Sequence, residues 1–163
     1  MSERPFDLLS LGELLLRLSP SANERLVRGD SFQKQVGGAE MNVAVGASLL
    51  GLHTGVISKL PANDMGNFVK NKIRSYGISD DYFVYDHTHD ARLGLYYYEY
   101  GAYPRKPKVI YDRKNSSFYS ISENDFPDEM YKATTCFHTT GITLALCPET
   151  RKTAIAMMKR FKE

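Results

Sequence analysis

Two apolar runs with a helix-period segment between them constrain this chain more than any other feature. Phe6 to Leu11 is apolar apart from Asp7 and Ser10 and stops at Gly12, the pattern of a strand buried in a parallel sheet. Met41, Val45 and Leu49 then recur at helical spacing, with Ala44 and Ala47 beside them and Gly51 as the stop. Thr54 to Leu60 returns to strand character. A second helix starts at Asn63 or Asp64, carries Met65, Phe68, Val69 and Ile73 on one stripe, ends near Gly77, and leads to a strand at Tyr82–Tyr85. Parallel strands need such crossovers, so the alternation predicts an α/β, doubly wound sheet.

Two segments interrupt that rhythm. Leu14–Leu18 and Ser31–Val36 read as extended pieces broken at Ser19-Pro20-Ser21, and Gly37-Gly38 closes the second. Leu93–Tyr100 and Lys108–Asp112 read as a hairpin around residues 101–107. Residues 14–36 and 93–112 therefore look like strand pairs inserted into the alternation. Of the 11 tyrosines, most fall between Tyr76 and Tyr119, which predicts strands with a wet face. Ser116–Asp125 is polar and reads as a loop. Phe126–Lys132 reads as a short helix with Pro127 at its first position. Cys136–Thr140 reads as a strand running into Gly141. Pro148–Lys162 reads as a helix with Ile155, Met158 and Lys162 along one face.

Composition narrows the function classes. Lys plus Arg number 21 against 19 Asp plus Glu, a net charge of +2, without the concentrated basic excess of a nucleic-acid binder. The apolar runs are far shorter than the ~20 residues of a membrane span, and the first residues lack the apolar core of a signal peptide. Two cysteines, Cys136 and Cys147, cannot build a disulfide framework. The expectation is a cytoplasmic protein with no nucleic-acid or membrane partner and two reduced, buried thiols. His87 and His89 have no further ligands at metal-binding spacing, so no metal site is predicted. Cys136 and His138 share one side of a strand without an acidic partner, which favours core packing over a catalytic thiol.

Gly37-Gly38-Ala39-Glu40-Met41-Asn42 is the most informative stretch. Two glycines allow a ligand close to the backbone, and the helix that follows aims free N–H groups and its positive dipole end at the same spot. Asn42 lies about one turn in. A tight strand-to-helix turn with Asn42 on the surface fits the spacing equally well. The Gly and Lys spacing matches neither a P-loop nor a dinucleotide fingerprint.

Gly12-Glu13, Gly37-Gly38-Ala39-Glu40-Met41-Asn42-Val43-Ala44, Leu50-Gly51 and Asp64-Met65-Gly66 resemble the amino-terminal signature region of ribokinase-type (PfkB) carbohydrate kinases. Gly94-Leu95-Tyr96, Tyr111-Asp112-Arg113-Lys114 and Gly141-Ile142-Thr143 are similar to the 2-keto-3-deoxygluconate kinases within it, and Glu40 fits that branch. Pro61 departs from the many members with a glycine nearby. The resemblance implies a Rossmann-like domain with a small β lid, formed by segments 14–36 and 93–112, that closes over a sugar or sugar acid. It places the sugar on the Gly37-Gly38 backbone and the Asn42 side chain, with Glu13 on its hydroxyls. Tyr96, Tyr111 and Arg113 would reach it from the lid, and Ile142 would add a backbone or apolar contact. Arginine suits a substrate carboxylate because its planar fork donates two parallel hydrogen bonds. It also implies a homodimer formed through the lids, with Tyr97, Phe32 and Val109 among the contacts.

Phosphoryl transfer from ATP and Mg²⁺ needs a base and an anion hole. In that family they come from a Gly-x-Gly-Asp-type segment in the carboxyl-terminal half. This chain has only Gly29-Asp30, inside the first lid segment. The expectation is that residues 1–163 form the amino-terminal, substrate-binding part of a kinase for 2-keto-3-deoxygluconate or a similar sugar acid. They would hold no catalytic residue and bind no ATP or Mg²⁺ alone. A non-catalytic carbohydrate-binding or lid-dimerising fragment is the alternative, as is a kinase for fructose or 5-keto-2-deoxygluconate.

Overall fold

The computed structural model describes residues 4–163. Four strands, β1 (Phe6–Leu11), β4 (Thr54–Pro61), β5 (Phe83–Asp86) and β8 (Thr134–His138), form a wholly parallel sheet in the order β5-β4-β1-β8. The chain runs outward from β1 through β4 to β5, then returns to place β8 on the other side of β1. The sheet therefore has its topological switch point between β1 and β8, where open α/β sheets bind ligands beyond the carboxyl ends of the strands.

Helices α1 (Ala39–Leu49) and α2 (Asp64–Ser75) cover one face. The Asn63 side chain caps α2 by accepting from the backbone N–H groups of Met65 and Gly66. Met41, Ala44, Val69 and Ile73 from these helices bury against Val56 and Leu60 of β4. The opposite face carries Leu9, Leu11 and Ile57, packed against Ala154 and Met157 of α4 (Pro148–Lys162) and against Phe118, Ile121, Phe126 and Met130. Adjacent residues Val56 and Ile57 thus belong to different cores, as the two-residue period of a strand requires.

A second sheet is built from β2 (Leu15–Pro20), β3 (Phe32–Gly37), β6 (Gly94–Glu99) and β7 (Lys108–Asp112) in the order β3-β2-β6-β7. Each outer pair is antiparallel, and β2 joins β6 in parallel register, with Arg17 opposite Tyr96. The two inserted strand pairs are one sheet. One of its faces, with Leu16, Leu18, Val36 and Leu95, packs onto the α1–α2 core.

The structure corrects four expectations. Ser116–Asp125 is not a free loop: it forms two 3₁₀ turns, Ser117–Ser120 and Glu123–Asp125, with Phe118 and Ile121 fully inside the core. A further helix, α3 (Gly141–Ala145), follows β8. Helix α4 packs through Thr150, Thr153, Ala154 and Met157, leaving Ile155 and Met158 exposed. Cys136 is exposed because β8 pairs only with β1 and α1 lies over β1 and β4 instead, and Cys147 is half-buried, its sulfur accepting from the Thr150 N–H at the start of α4.

Removing Phe118 should therefore empty core volume. Phe118→Ala is expected to cost about 3–5 kcal/mol, and Ile155→Ala under about 0.5 kcal/mol, measured by urea unfolding. Comparable losses for both variants would contradict this packing.

Candidate functional site

A cavity of about 430 Å³ opens where the switch point meets the second sheet. Its walls come from three places. The carboxyl end of β1 contributes Glu13; the start of α1 contributes Gly38, Ala39, Glu40 and Asn42; α3 contributes Ile142 and Thr143. The second sheet supplies the remaining wall. Because side chains alternate along a strand, Leu15 and Arg17 of β2, Tyr96 and Tyr98 of β6, and Val109 and Tyr111 of β7 all face the cavity. Gln35, Arg17, Tyr96 and Tyr111 lie in register across the four strands, forming one transverse row. Tyr96 and Tyr111 pack with ring centroids 5.7 Å apart.

Glu13 is buried and tied to two partners far along the chain. It accepts from Arg113 Nε at 2.8 Å and also from Arg113 Nη2 and the Ser116 hydroxyl. Burial pushes its carboxyl above the usual value, against the opposing pull of Ser116 and Arg113. Gly94 makes room for this cluster, since a Cβ there would stand 2.6 Å from Glu13 Oε1 and 3.2 Å from Arg113 Cβ. Glu40 is buried as well. Its Oε1 accepts from the Thr140 N–H at 3.2 Å, the Thr140 hydroxyl at 2.6 Å and the Thr143 hydroxyl at 2.7 Å. That fixes the start of α3 against α1 and holds Ile142 at the rim.

Seven of the residues expected at the site, Glu13, Gly38, Asn42, Tyr96, Tyr111, Arg113 and Ile142, line this one cavity. Gly37 sits behind the wall, where a Cβ would come within 2.4 Å of the Tyr96 hydroxyl, and at Gly38 it would come within 2.9 Å of the Glu13 carbonyl. Both glycines are thus needed for close packing within the protein. Leu15, Arg17, Glu40, Tyr98, Val109 and Thr143 also line the cavity and were not anticipated there. The alternation Leu15-Leu16-Arg17-Leu18 was the available signal for Arg17, because a charge on a strand between apolar neighbours faces something polar. Val109 faces the cavity, so on the outer face Ile110 takes its place beside Phe32 and Tyr97.

Among the described residues, no group of three His, Cys, Asp or Glu side chains could hold a metal ion. No helix among them is long and apolar enough to cross a membrane.

A doubly wound sheet with a polar, tyrosine-walled cavity at its switch point, roofed by a separate β-sheet, is the arrangement of the ribokinase-type fold. The chain belongs to the pfkB family of carbohydrate kinases, whose pattern it matches over residues 6–163. It is 36% identical over 157 residues to a 2-dehydro-3-deoxygalactonokinase of Haloferax volcanii, covering 96% of this chain and 48% of that protein. It is 29% identical over 155 residues to a 5-dehydro-2-deoxygluconokinase of Bacillus anthracis, covering 94% and 46%. The crystal structure of a 2-dehydro-3-deoxygluconokinase from Thermotoga maritima matches with a TM-score of 0.88 at 34% identity, over 94% of this chain and 47% of that one. The chain spans about half the length of these relatives.

The raised Glu13 carboxyl sets a pH dependence. Between the ordinary 4.5 and its raised value, the folded protein binds more protons at this site than the unfolded chain, so the stability it contributes falls as pH rises. In urea unfolding at a series of pH values, wild type should gain on Glu13→Gln as pH drops through that window. A constant difference, or one of opposite slope, would show that burial does not dominate at Glu13.

Proposed function

We propose that the cavity binds a 2-keto-3-deoxy sugar acid, and that these residues form the substrate-binding part of a kinase that phosphorylates it with ATP and Mg²⁺. The observation that carries this reading is the convergence on one cavity of the Asn42 amide, the Tyr96 and Tyr111 rings and the Arg113–Glu13 pair. Tyrosine faces suit a carbon skeleton, their hydroxyls and Asn42 suit sugar oxygens, and a cavity lined by two arginines, Arg17 and Arg113, suits an acid group. The kinship with kinases of keto-deoxy sugar acids supports the same class. In this reading the second sheet is the lid over the sugar, and Gly38 and Ile142 contribute backbone and apolar contact.

Residues 1–163 alone do not complete the reaction in this proposal. The attacking hydroxyl needs a base. Glu13 and Glu40 are the carboxyl groups lining the cavity, and both are committed, the first to Arg113 and Ser116, the second to Thr140 and Thr143. The test is to assay the whole encoded gene product, and residues 1–163 by themselves, with ATP, Mg²⁺ and a panel of 2-keto-3-deoxygluconate, 2-keto-3-deoxygalactonate, 5-keto-2-deoxygluconate and fructose. Preference of the whole product for a 2-keto-3-deoxy acid, with binding but no turnover by residues 1–163, is expected. A preference for fructose would reject the acid, and turnover by residues 1–163 would reject the division of labour.

We also propose pairing of two copies through the second sheet's non-cavity face, where it extends past the part packed on the α1–α2 core. Phe32 and Tyr97 meet edge to face there at 5.9 Å, with Ile110 exposed alongside. Light scattering at micromolar concentration should report a dimer, and Phe32→Lys should shift it towards monomer. A wild-type monomer would reject this assembly.

A further inference from the structure

The cavity holds two arginines in opposite electrostatic situations. Arg113 already faces a carboxylate, Glu13, which occupies two of its nitrogens. Arg17 faces none. Its Nη2 donates to the amide oxygen of Gln35 and to the Tyr100 hydroxyl at 3.1 Å, and its guanidinium lies over the Tyr98 and Tyr100 rings at 5.6 and 6.0 Å. Its Nε–H is buried with no acceptor within hydrogen-bond distance, and the Tyr96 hydroxyl is the polar group that feels its charge. Among the described residues, no acidic side chain forms an ion pair with it.

A half-buried cation held only by neutral groups has given up hydration without gaining a counter-charge. The aromatic faces and two neutral acceptors offset part of that cost. The remainder is recovered when an anion enters the cavity beside it. An anion beside Arg113 gains less, because Glu13 has already neutralised that charge and repels a second carboxylate. Charge is therefore distributed unevenly along the cavity: an uncompensated cation on the second-sheet wall, and the carboxyl oxygens of Glu40 with the Asn42 amide on the opposite side.

We propose that Arg17 is the residue by which this site distinguishes an acid from a neutral sugar, with the ligand carboxylate placed against the second sheet between Arg17 and Tyr96. This rests on the reading of the cavity as a sugar-acid site and goes beyond it in assigning the charge discrimination to Arg17, with Arg113 acting mainly to hold Glu13. The substrate then lies with its acid group towards the second sheet and its hydroxyl-bearing end towards α1. The guanidinium turns from Gln35 to the carboxylate, and the orphaned Nε–H gains an acceptor.

The experiment measures dissociation constants by calorimetry for 2-keto-3-deoxygluconate and for its uncharged primary amide, which has the same shape. It uses the whole encoded gene product, wild type and variants. Wild type should prefer the acid. Arg17→Gln should reduce the acid-over-amide preference by about 30-fold, equivalent to about 2 kcal/mol, and Arg17→Lys should restore much of it. Gln35→Glu supplies the missing counter-charge from an exposed position without disturbing Arg17, and should reduce the preference similarly even if Arg17→Gln fails to fold. Arg113→Gln should weaken acid and amide together, since it strands Glu13. Loss of the preference in Arg113→Gln, with the preference intact in Gln35→Glu and in a folded Arg17→Gln, would overturn the assignment. So would a wild type that binds acid and amide equally. A wild type that binds neither, while binding fructose, would overturn the sugar-acid reading itself and the assignment with it.

Discussion

Two carboxyl groups buried at the carboxyl end of β1 hold the rest of the site in place. Each is costly to bury and each is satisfied by residues about a hundred positions away. Glu13 joins the end of β1 to Arg113, just past β7, and to Ser116. Glu40 joins the first turn of α1 to Thr140 and Thr143 at the start of α3. Removing one partner of such a cluster leaves an uncompensated polar group, typically at a cost of about 3–5 kcal/mol for a buried ion pair. The cavity walls are thus locked by the same groups that give the cavity its polarity. The small residues around them serve this arrangement. Gly94 leaves space for Glu13 and Arg113, and at Gly12 a Cβ would stand 2.4 Å from Glu40 Oε2.

The parallel sheet was legible because its information is local. Apolar runs, helix-period stripes and the Asn63 cap each report on their own neighbourhood, and β1, α1, β4 and α2 fall where those signals put them. Ser116–Asp125 was misread for the same reason. Its hydroxyls dominate the string, and only its position over the sheet reveals that Phe118 and Ile121 point inward. On α4, Ile155 and Met158 look like the buried stripe, yet the threonines at 150 and 153 occupy it, their hydroxyls bonding to the carbonyls of Thr143 and Ile121.

The cavity was legible through a different route. Spacing alone left Tyr96, Tyr111 and Arg113 as ordinary strand residues, and the likeness to known kinases singled them out. Residues outside the quoted motifs were missed. Arg17, Tyr98 and Val109 enter the cavity only through the register of β2 on β6 and of β6 on β7. That pairing is a property of the folded chain, and no local pattern specifies which strand β2 will find. Glu40 was noticed as a marker of kinship, although its physical task, anchoring α3, depends on threonines that no spacing rule connects to it.

The parallel junction between β2 and β6 also sets an order of events. Arg17 and Tyr96 are roughly 80 residues apart in the chain, whereas the two outer hairpins close over short loops. Hairpins form on the microsecond scale, while contacts between distant segments must wait until the intervening chain has been organised. Here that chain contains β3, α1, β4, α2 and β5, so the meeting of the two hairpins is the slow, long-range contact of the second sheet. The row Gln35–Arg17–Tyr96–Tyr111 is complete only after that meeting. That wall of the cavity is therefore completed late, and an intact row reports that the strands on both sides of the junction have reached their native register.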